Sequence, residues 1–198
     1  MKYLKLISLL CIATIGSLFI SCEETASVDE YANWEERNVA FIDSIAKVAE
    51  ANADGKWLKL LSFKLNETNI EGDTVEWDID DYIYCHVEAE GTGIQHPMFT
   101  DSVWVNYRGR LIPTLSFPDG QVFDQSYKGA LNPAINVPTQ FRVSGVVVGW
   151  STALQQMVTG DIWRVYIPAP LAYGSSKQTT IPAHSALIFD MNLAKIKP

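Results

Sequence analysis

The stretch FRVSGVVVGWSTALQQMVTGDIWRVYIPAPLAYGSSKQTTIPAHSALIFDMNL, residues 141–193, decides how the whole chain is read. Three valines, Val146, Val147 and Val148, close on Gly149-Trp150. Trp150, Leu154 and Met157 then recur at i, i+4 and i+7, which places them on one face of a short helix. Gly160 follows where a helix C-cap wants φ > 0. Ile162, Arg164 and Tyr166 alternate with Trp163, Val165 and Ile167, the period of a strand. Pro168 and Pro170 end that strand, because proline has no N–H for the ladder. Tyr173-Gly174 opens a polar loop, Ile181-Pro182 closes it, and Leu187 to Leu193 reads as a last strand.

Upstream, the strand signals continue. Val103, Val105 and Tyr107 share one face, with Trp104 and Asn106 on the other. Phe117-Pro118-Asp119-Gly120 is a turn between strands, and Val122-Phe123-Asp124 re-enters one. Residues 126–138, rich in Asn, Pro and Gly, read as a long loop. Tyr82 to Glu90 alternates as a strand closed by Gly91-Thr92-Gly93. Residues 56–80 give a weaker signal. Trp57 to Leu65 is apolar enough for a strand, but residues 66–81 are acidic and turn-rich, so this part reads as a hairpin or a mobile insertion.

Before it, Ser27 and Glu30 have capping-box spacing. Tyr31, Trp34, Asn38, Phe41, Ile45 and Val48 recur at three- and four-residue steps until Asp54-Gly55, which predicts an amphipathic helix over 28–53. Two uses fit such a stripe: packing on its own domain, or pairing with the same helix of a second chain, since the spacing is a/d-like.

The first 21 residues are a signal peptide and stand apart from the fold. Lys2 and Lys5 precede an apolar run from Leu6 to Ile20, then come Ser21-Cys22 and two glutamates. The run is too short and wrongly flanked for a spanning helix. Ser21-Cys22 resembles the lipobox of bacterial lipoproteins, with Cys22 as the lipid attachment point, although Phe19 stands where that pattern usually has leucine. The alternative is a plain secretory cleavage site. The glutamates after the cysteine differ from the aspartate associated with inner-membrane retention, so the resemblance implies an outer-membrane lipoprotein facing the periplasm or the cell surface.

Composition narrows the partners. A hydrophobic fraction of 47% supports a real core. The chain has 15 Lys and Arg against 23 Asp and Glu; without the two lysines of the first 22 residues the balance is 13 to 23, a formal −10. That acidity argues against nucleic acid, whose phosphates need a basic patch. Cys11 leaves with the signal and Cys22 would be acylated, so Cys85 stands alone, without an intrachain disulfide partner, as a small buried strand residue. His86, His96 and His184 have no metal-ligand spacing with one another or with Cys85, so no metal and no cofactor is expected. No G-x-S-x-G nucleophile elbow and no phosphate-cradling glycine loop is present either.

The motifs VNYRGRL, DGQVFDQS, VVVGWSTALQQMVTGD, IPAPLAYG and IPAHSALIFDMNL arrive in the order of the FKBP-type peptidyl-prolyl cis-trans isomerases, which the chain resembles over about residues 80–197. The resemblance implies an α+β domain over 80–198: a twisted antiparallel sheet wrapped around one short helix, here about 150–158. Residues 22–79, comprising the tether, the amphipathic helix and the poorly patterned insertion, lie outside it.

The family's pocket can be carried over by position. Trp150 of the GW motif would be its floor, and Tyr107, Phe123, Asp124 and Phe189 its walls. Val146 and Val147 would form the rim. Tyr173 and Ile181 would complete it, with residues 175–180 as a flap. Tyr173 would give its hydroxyl to the carbonyl before proline, and the Ile181 N–H would hold the peptide chain. Three departures stand out: Thr139 where the family often has an aromatic, a short flap without a Pro-Gly pair, and residues 112–116 inserted before the DG turn.

An aromatic site with few ionisable groups suits prolyl isomerisation. The resonance barrier to rotation is about 18–20 kcal/mol, and no covalent step is needed to lower it. Twisting the C–N bond makes the carbonyl less polar, so a dry apolar pocket favours the twisted form. The implied substrate is a proline-containing segment of an unfolded or partly folded exported protein. A non-catalytic FKBP-like binding module, acting as a chaperone surface or envelope scaffold, is the other reading the motifs allow.

Overall fold

The computed structural model describes residues 29–66, 68 and 72–198. The signal segment, Cys22 and the Ser27 half of the expected capping box lie outside the described residues.

The chain enters as a turn. Tyr31 N–H donates to the Asp29 side chain at 3.0 Å and Ala32 N–H to the Asp29 carbonyl at 3.2 Å. Asn33 then takes left-handed backbone angles, φ 49°, and helix α1 runs Trp34–Ala51. The helix therefore begins later than the 28–53 spacing predicts, because the Asp29 turn consumes the first residues of the stripe. Asn52, also left-handed, ends it before Asp54-Gly55, with its N–H on the Val48 carbonyl. The stripe faces the protein's own domain. Trp34, Asn38, Ile42 and Ala49 are buried, and Phe41 and Ile45 pack against the core. Val48 and Tyr31 are exposed, so the buried line runs one residue away from the expected one in the second half of the helix.

Among the described residues, seven antiparallel strands form one sheet. They are β1 (Trp57–Leu61), β2 (Tyr82–Ala89), β3 (Ser102–Arg110), β4 (Val122–Gln125), β5 (Thr139–Arg142), β6 (Ile162–Ile167) and β7 (Leu187–Lys197). The order is β1-β2-β6-β7-β3-β4, with β5 also on β3. Strand β3 thus has β7 along one edge, while its first half holds β5 and its last residues hold β4 on the other. The apolar start of the uncertain 56–80 segment is the strand β1, paired with β2 from Trp57↔His86 to Leu61↔Tyr82. The sheet therefore begins before residue 80. Past β1, Thr68 and Thr74 make an isolated antiparallel bridge.

The strand alternation holds on burial. Val103, Val105 and Tyr107 are buried, as are Trp163, Val165 and Ile167. Asn106, on the opposite face, is buried too, and donates to Asn192 at 3.1 Å. Cys85 is fully buried in β2, as its place in a strand suggested, and burial pushes its thiol pKa up.

The short helix, α2, spans Val148–Leu154 rather than 150–158. Val147 is extended, φ −59° and ψ 154°, and Ser151 Oγ donates to the Val143 carbonyl at 2.7 Å, so the first turn forms two residues earlier. Past Leu154 the chain continues as a turn, with Met157 N–H on the Ala153 carbonyl at 3.1 Å. Trp150, Leu154 and Met157 remain on the buried side. Gly160 has φ 101°, but it serves the turn into β6, giving its N–H to the Leu193 carbonyl, and is not the helix cap. Gly149 allows α2 to approach the sheet: a Cβ there would stand 2.4 Å from Ile167 Cγ2. Trp150 is thereby carried to the sheet's inner face.

Candidate active site

A cavity of about 400 Å³ opens between α2 and the strands. Tyr107, Phe123, Asp124, Val146, Val147, Trp150, Tyr173 and Phe189 line it, together with Phe141 and Gly145. Eight of the nine residues expected at the pocket are therefore together. Ile181 is not among them. It is buried and lines a separate groove with Tyr31, Gln121 and residues 177–183, because the 175–181 loop turns back on itself, Gln178 N–H reaching the Ile181 carbonyl at 2.8 Å.

Trp150 is the hub. Three rings meet its indole edge to face: Tyr107 at 5.3 Å, Phe141 at 5.1 Å and Phe189 at 5.1 Å between centroids. Phe123 stands edge-on to Phe189 at 5.5 Å, and Tyr107 to Phe141 at 5.4 Å. Such pairs contribute about 0.5–1.5 kcal/mol each beyond area burial, and together they fix the ring positions. The indole N–H of Trp150 is buried and has no hydrogen-bond acceptor among the described residues.

The rings come together because β3 puts Tyr107 beside β7 in register, and Gly109 opposite Phe189. A Cβ on Gly109 would lie 2.5 Å from Phe123 Cζ and 2.6 Å from Phe189 Cε1. That bare backbone is the space into which the two rings fit.

Polar groups are few. Among the described residues, Asp124 is the only carboxylate lining the cavity, and no Lys, Arg or His lines it. The Tyr107 hydroxyl donates to Asp124 Oδ2 at 2.8 Å, and Asp124 Oδ1 accepts its neighbour's N–H, that of Gln125, at 2.8 Å. Burial, reinforced by this hydrogen bond, pushes the Tyr107 phenol pKa up. Tyr173 is 40% exposed, and its hydroxyl makes no hydrogen bond among the described residues. Behind the site, Asp190 accepts from Arg110 Nη2 and from Arg164 Nε at 2.7 Å, which pins β7 to β3 and β6 next to Phe189.

Phe141 was not picked out by sequence. Its signal was present: an aromatic on a four-residue strand that ends just before the valine rim, paired with Val103. The exposed Thr139 is paired with Val105.

An antiparallel sheet around a short helix, with an aromatic-lined cavity between them, defines the class of protein, and the comparisons agree. The family model for FKBP-type peptidyl-prolyl cis-trans isomerase matches residues 93–194, and the chain belongs to that family. The peptidyl-prolyl cis-trans isomerase Mip of Coxiella burnetii is 41% identical over 104 residues, covering 52% of this chain and 40% of the relative. The outer membrane protein MIP of Legionella longbeachae is 41% identical over 108 residues, covering 54% and 41%. The matched part thus spans about two fifths of these curated relatives. A crystal structure of a peptidyl-prolyl cis-trans isomerase from Pseudomonas syringae pv. tomato superposes with a TM-score of 0.57 at 27% identity, over 85% of this chain and 96% of that one.

Proposed function

We propose that this protein catalyses cis–trans isomerisation of X-Pro bonds in exported proteins from the cell envelope, held to the membrane by a lipid on Cys22. The observation that carries the catalytic part is the indole of Trp150 ringed edge-to-face by Tyr107, Phe141 and Phe189 in a cavity with one carboxylate.

The proline ring lies on the Trp150 indole, and the walls exclude water from the amide. The planar amide loses its hydration there, whereas the twisted amide, with a less polar carbonyl, loses less; the difference lowers the barrier. Tyr173 gives its free hydroxyl to the carbonyl before proline. Asp124, oriented by Tyr107, sets the field beside that carbonyl. Ile181 holds the peptide through its backbone N–H where the chain leaves the cavity along the groove it lines. Slow prolyl steps of tens of seconds are the target in a client protein.

The test is the cis-to-trans rate of Xaa-Pro tetrapeptides with the purified chain. Acceleration abolished in a folded Trp150→Leu variant is the expected result. Peptide binding without acceleration would instead support the binding-module reading.

The envelope part rests on the Ser21-Cys22 pattern, and the outer-membrane name of the Legionella relative is in keeping with it. Among the described residues no helix is long and apolar enough to cross a membrane. Cys22→Ala should release the processed protein from the membrane fraction; a processed variant that stays there would exclude the lipid anchor. Pairing of two chains through residues 28–53 would have to use the solvent side of α1, since the Trp34, Asn38, Ile42 and Ala49 face is taken up by the domain, and light scattering of the purified chain tests it.

A further inference from the structure

Residues 30–38 lie outside the 93–194 stretch of the family match, yet they hold the segment that joins two walls of the pocket region. Trp34 Nε1 donates to Ser185 Oγ at 2.8 Å, and Ser185 Oγ donates in turn to the Pro182 carbonyl at 2.7 Å. Asn38 Oδ1 accepts the Ala186 N–H at 2.8 Å, while its Nδ2 donates to the Trp34 carbonyl at 2.6 Å. Trp34, Asn38, Ser185 and Ala186 are all buried. Glu35 Oε1 is 3.1 Å from His184 Nδ1, and the His184 N–H donates to the Gly174 carbonyl at 2.8 Å. His184 itself holds a left-handed φ of 59°, a conformation a non-glycine residue keeps only when its surroundings impose it.

The same extension grips the inserted loop. Ser116 Oγ donates to the Glu30 carboxylate, Tyr31 OH donates to Gln121 Oε1 at 2.8 Å, and Arg37 Nη2 reaches the Pro113 carbonyl at 3.5 Å. Two departures from the family pattern, the N-terminal extension and the 112–116 insertion, are therefore partners of each other.

Segment 182–186 connects Ile181 to β7 and Phe189, and His184 ties it to the residue after Tyr173. Ala186 joins the buried core, and another side of the segment borders open space. A cleft of about 250 Å³ lies between it and α1, lined by Asn38, Val39, Ile42, Ala169, Gly174 and Ala186 among others. The buried hydrogen bonds to Trp34 and Asn38 hold the segment on the edge of this cleft.

Resting on the isomerase reading, we propose that Trp34 and Asn38 are positioning residues for the reaction. Through Ser185 and Ala186 they fix segment 182–186, and through it the placement of Tyr173 and Phe189 and the span of the 175–180 flap. The family domain in this chain thus borrows the stiffness of its flap base from a helix that the family match does not include.

Two conservative variants of the full chain test this. Trp34→Phe keeps an aromatic ring but loses the N–H, and Ser185→Ala loses the hydroxyl at both ends of the relay. Each should lower kcat/KM for an Xaa-Pro tetrapeptide about fivefold, with the double variant no worse than the poorer single one, since both remove one shared bond. Hydrogen–deuterium exchange supplies the second readout. Amides of 174–186 should exchange about tenfold faster in either variant while those of β6, β7 and α2 keep their protection. Wild-type turnover in the folded variants overturns the proposal, as does faster exchange spread over the whole chain, which marks a merely structural contact. If the unaltered chain turns over no peptide, the isomerase reading falls, and the exchange pattern alone decides whether Trp34 and Ser185 position the segment.

Discussion

The Tyr107 hydroxyl donates to Asp124 Oδ2 at 2.8 Å, bridging β3 to β4 beside the register pair Gly109↔Asp124. Asp124 Oδ1 is also occupied, by the Gln125 N–H. A carboxylate with both oxygens bonded is a poor general base and a well-oriented charge. This fits a reaction that moves no proton. Tyr107→Phe keeps the ring against Trp150 and Phe141 and removes only this bond. We expect it to cost about 1 kcal/mol of stability, the net value of one hydrogen bond, and to lower kcat/KM severalfold by freeing Asp124 to rotate. Asp124→Asn should act in the same direction. Full activity in Tyr107→Phe would take the bond out of the mechanism.

Trp150 is the hub of the ring cluster and, in the proposed mechanism, the floor for proline, and two substitutions separate these roles. Trp150→Ala removes the hub of three ring contacts at a residue only 3% exposed, so it should destabilise the protein by about 3–5 kcal/mol. Trp150→Leu retains apolar volume and should fold, while losing the flat floor for proline. Urea midpoints of the two variants, read beside their peptide isomerisation rates, give the split. A folded Leu variant as fast as the parent chain would remove Trp150 from the site.

The parts of this fold that the sequence revealed are those where local pattern and tertiary environment agree. The period-two runs of β3 and β6 and the Trp150-Leu154-Met157 face survive unchanged because their buried sides are set by the same sheet. The positions that shifted depend on contacts that spacing does not encode. Helix α1 starts at Trp34 because an aspartate side chain closes a turn upstream. Helix α2 starts at Val148 because Ser151 reaches back to Val143. Ile181 left the cavity through the backbone closure of its own loop. Phe141 entered it through pairing with Val103, thirty-eight positions away by number (141 − 103) and adjacent only in the sheet. The polar clamp from Trp34 and Asn38 had no periodic signature, since a buried Asn in an apolar stripe reads only as an interruption.

Stability should fall in alkali for a reason built into the core. Burial pushes the Tyr84 phenol up to about 12 from an ordinary value of 10.0, and raises the Tyr107 phenol and the Cys85 thiol as well. In each case the folded state binds its proton more tightly than the unfolded chain does. The stabilisation is complete below the unfolded values and is lost as pH rises through them toward the folded values, because only the unfolded chain releases those protons. The urea midpoint should therefore decline from about pH 9 to 11. Tyr84→Phe keeps the ring and loses the hydroxyl's bond to the Ile79 carbonyl, so its midpoint should start lower and decline less steeply. A parallel decline in the variant would show that Tyr84 does not contribute.

Gly109 offers the sharpest test of how the pocket is built, because the change is one methyl group on a backbone that needs no unusual φ. It sits in β3, opposite Asp124 on one edge and Phe189 on the other, and its hydrogen faces two rings. The Cβ of Gly109→Ala would stand 2.5 Å from Phe123 Cζ, 2.6 Å from Phe123 Cε2 and 2.6 Å from Phe189 Cε1. Contacts that short require both rings to shift. Phe189 is also held edge-on to Trp150, and β7 is fixed behind it by Asp190, so Phe123 on the short β4 strand must move more. Overpacking of this kind costs about 1–3 kcal/mol. The displaced Phe123 should close part of the cavity, raising KM for tetrapeptides more than it lowers kcat. The double variant Gly109→Ala/Phe123→Leu should regain much of the lost stability, since a leucine leaves room for the methyl group. A Gly109→Ala chain with unaltered urea midpoint and unaltered KM would mean that the rings have slack, and that the fit between Gly109 and the two phenylalanines does not shape the pocket.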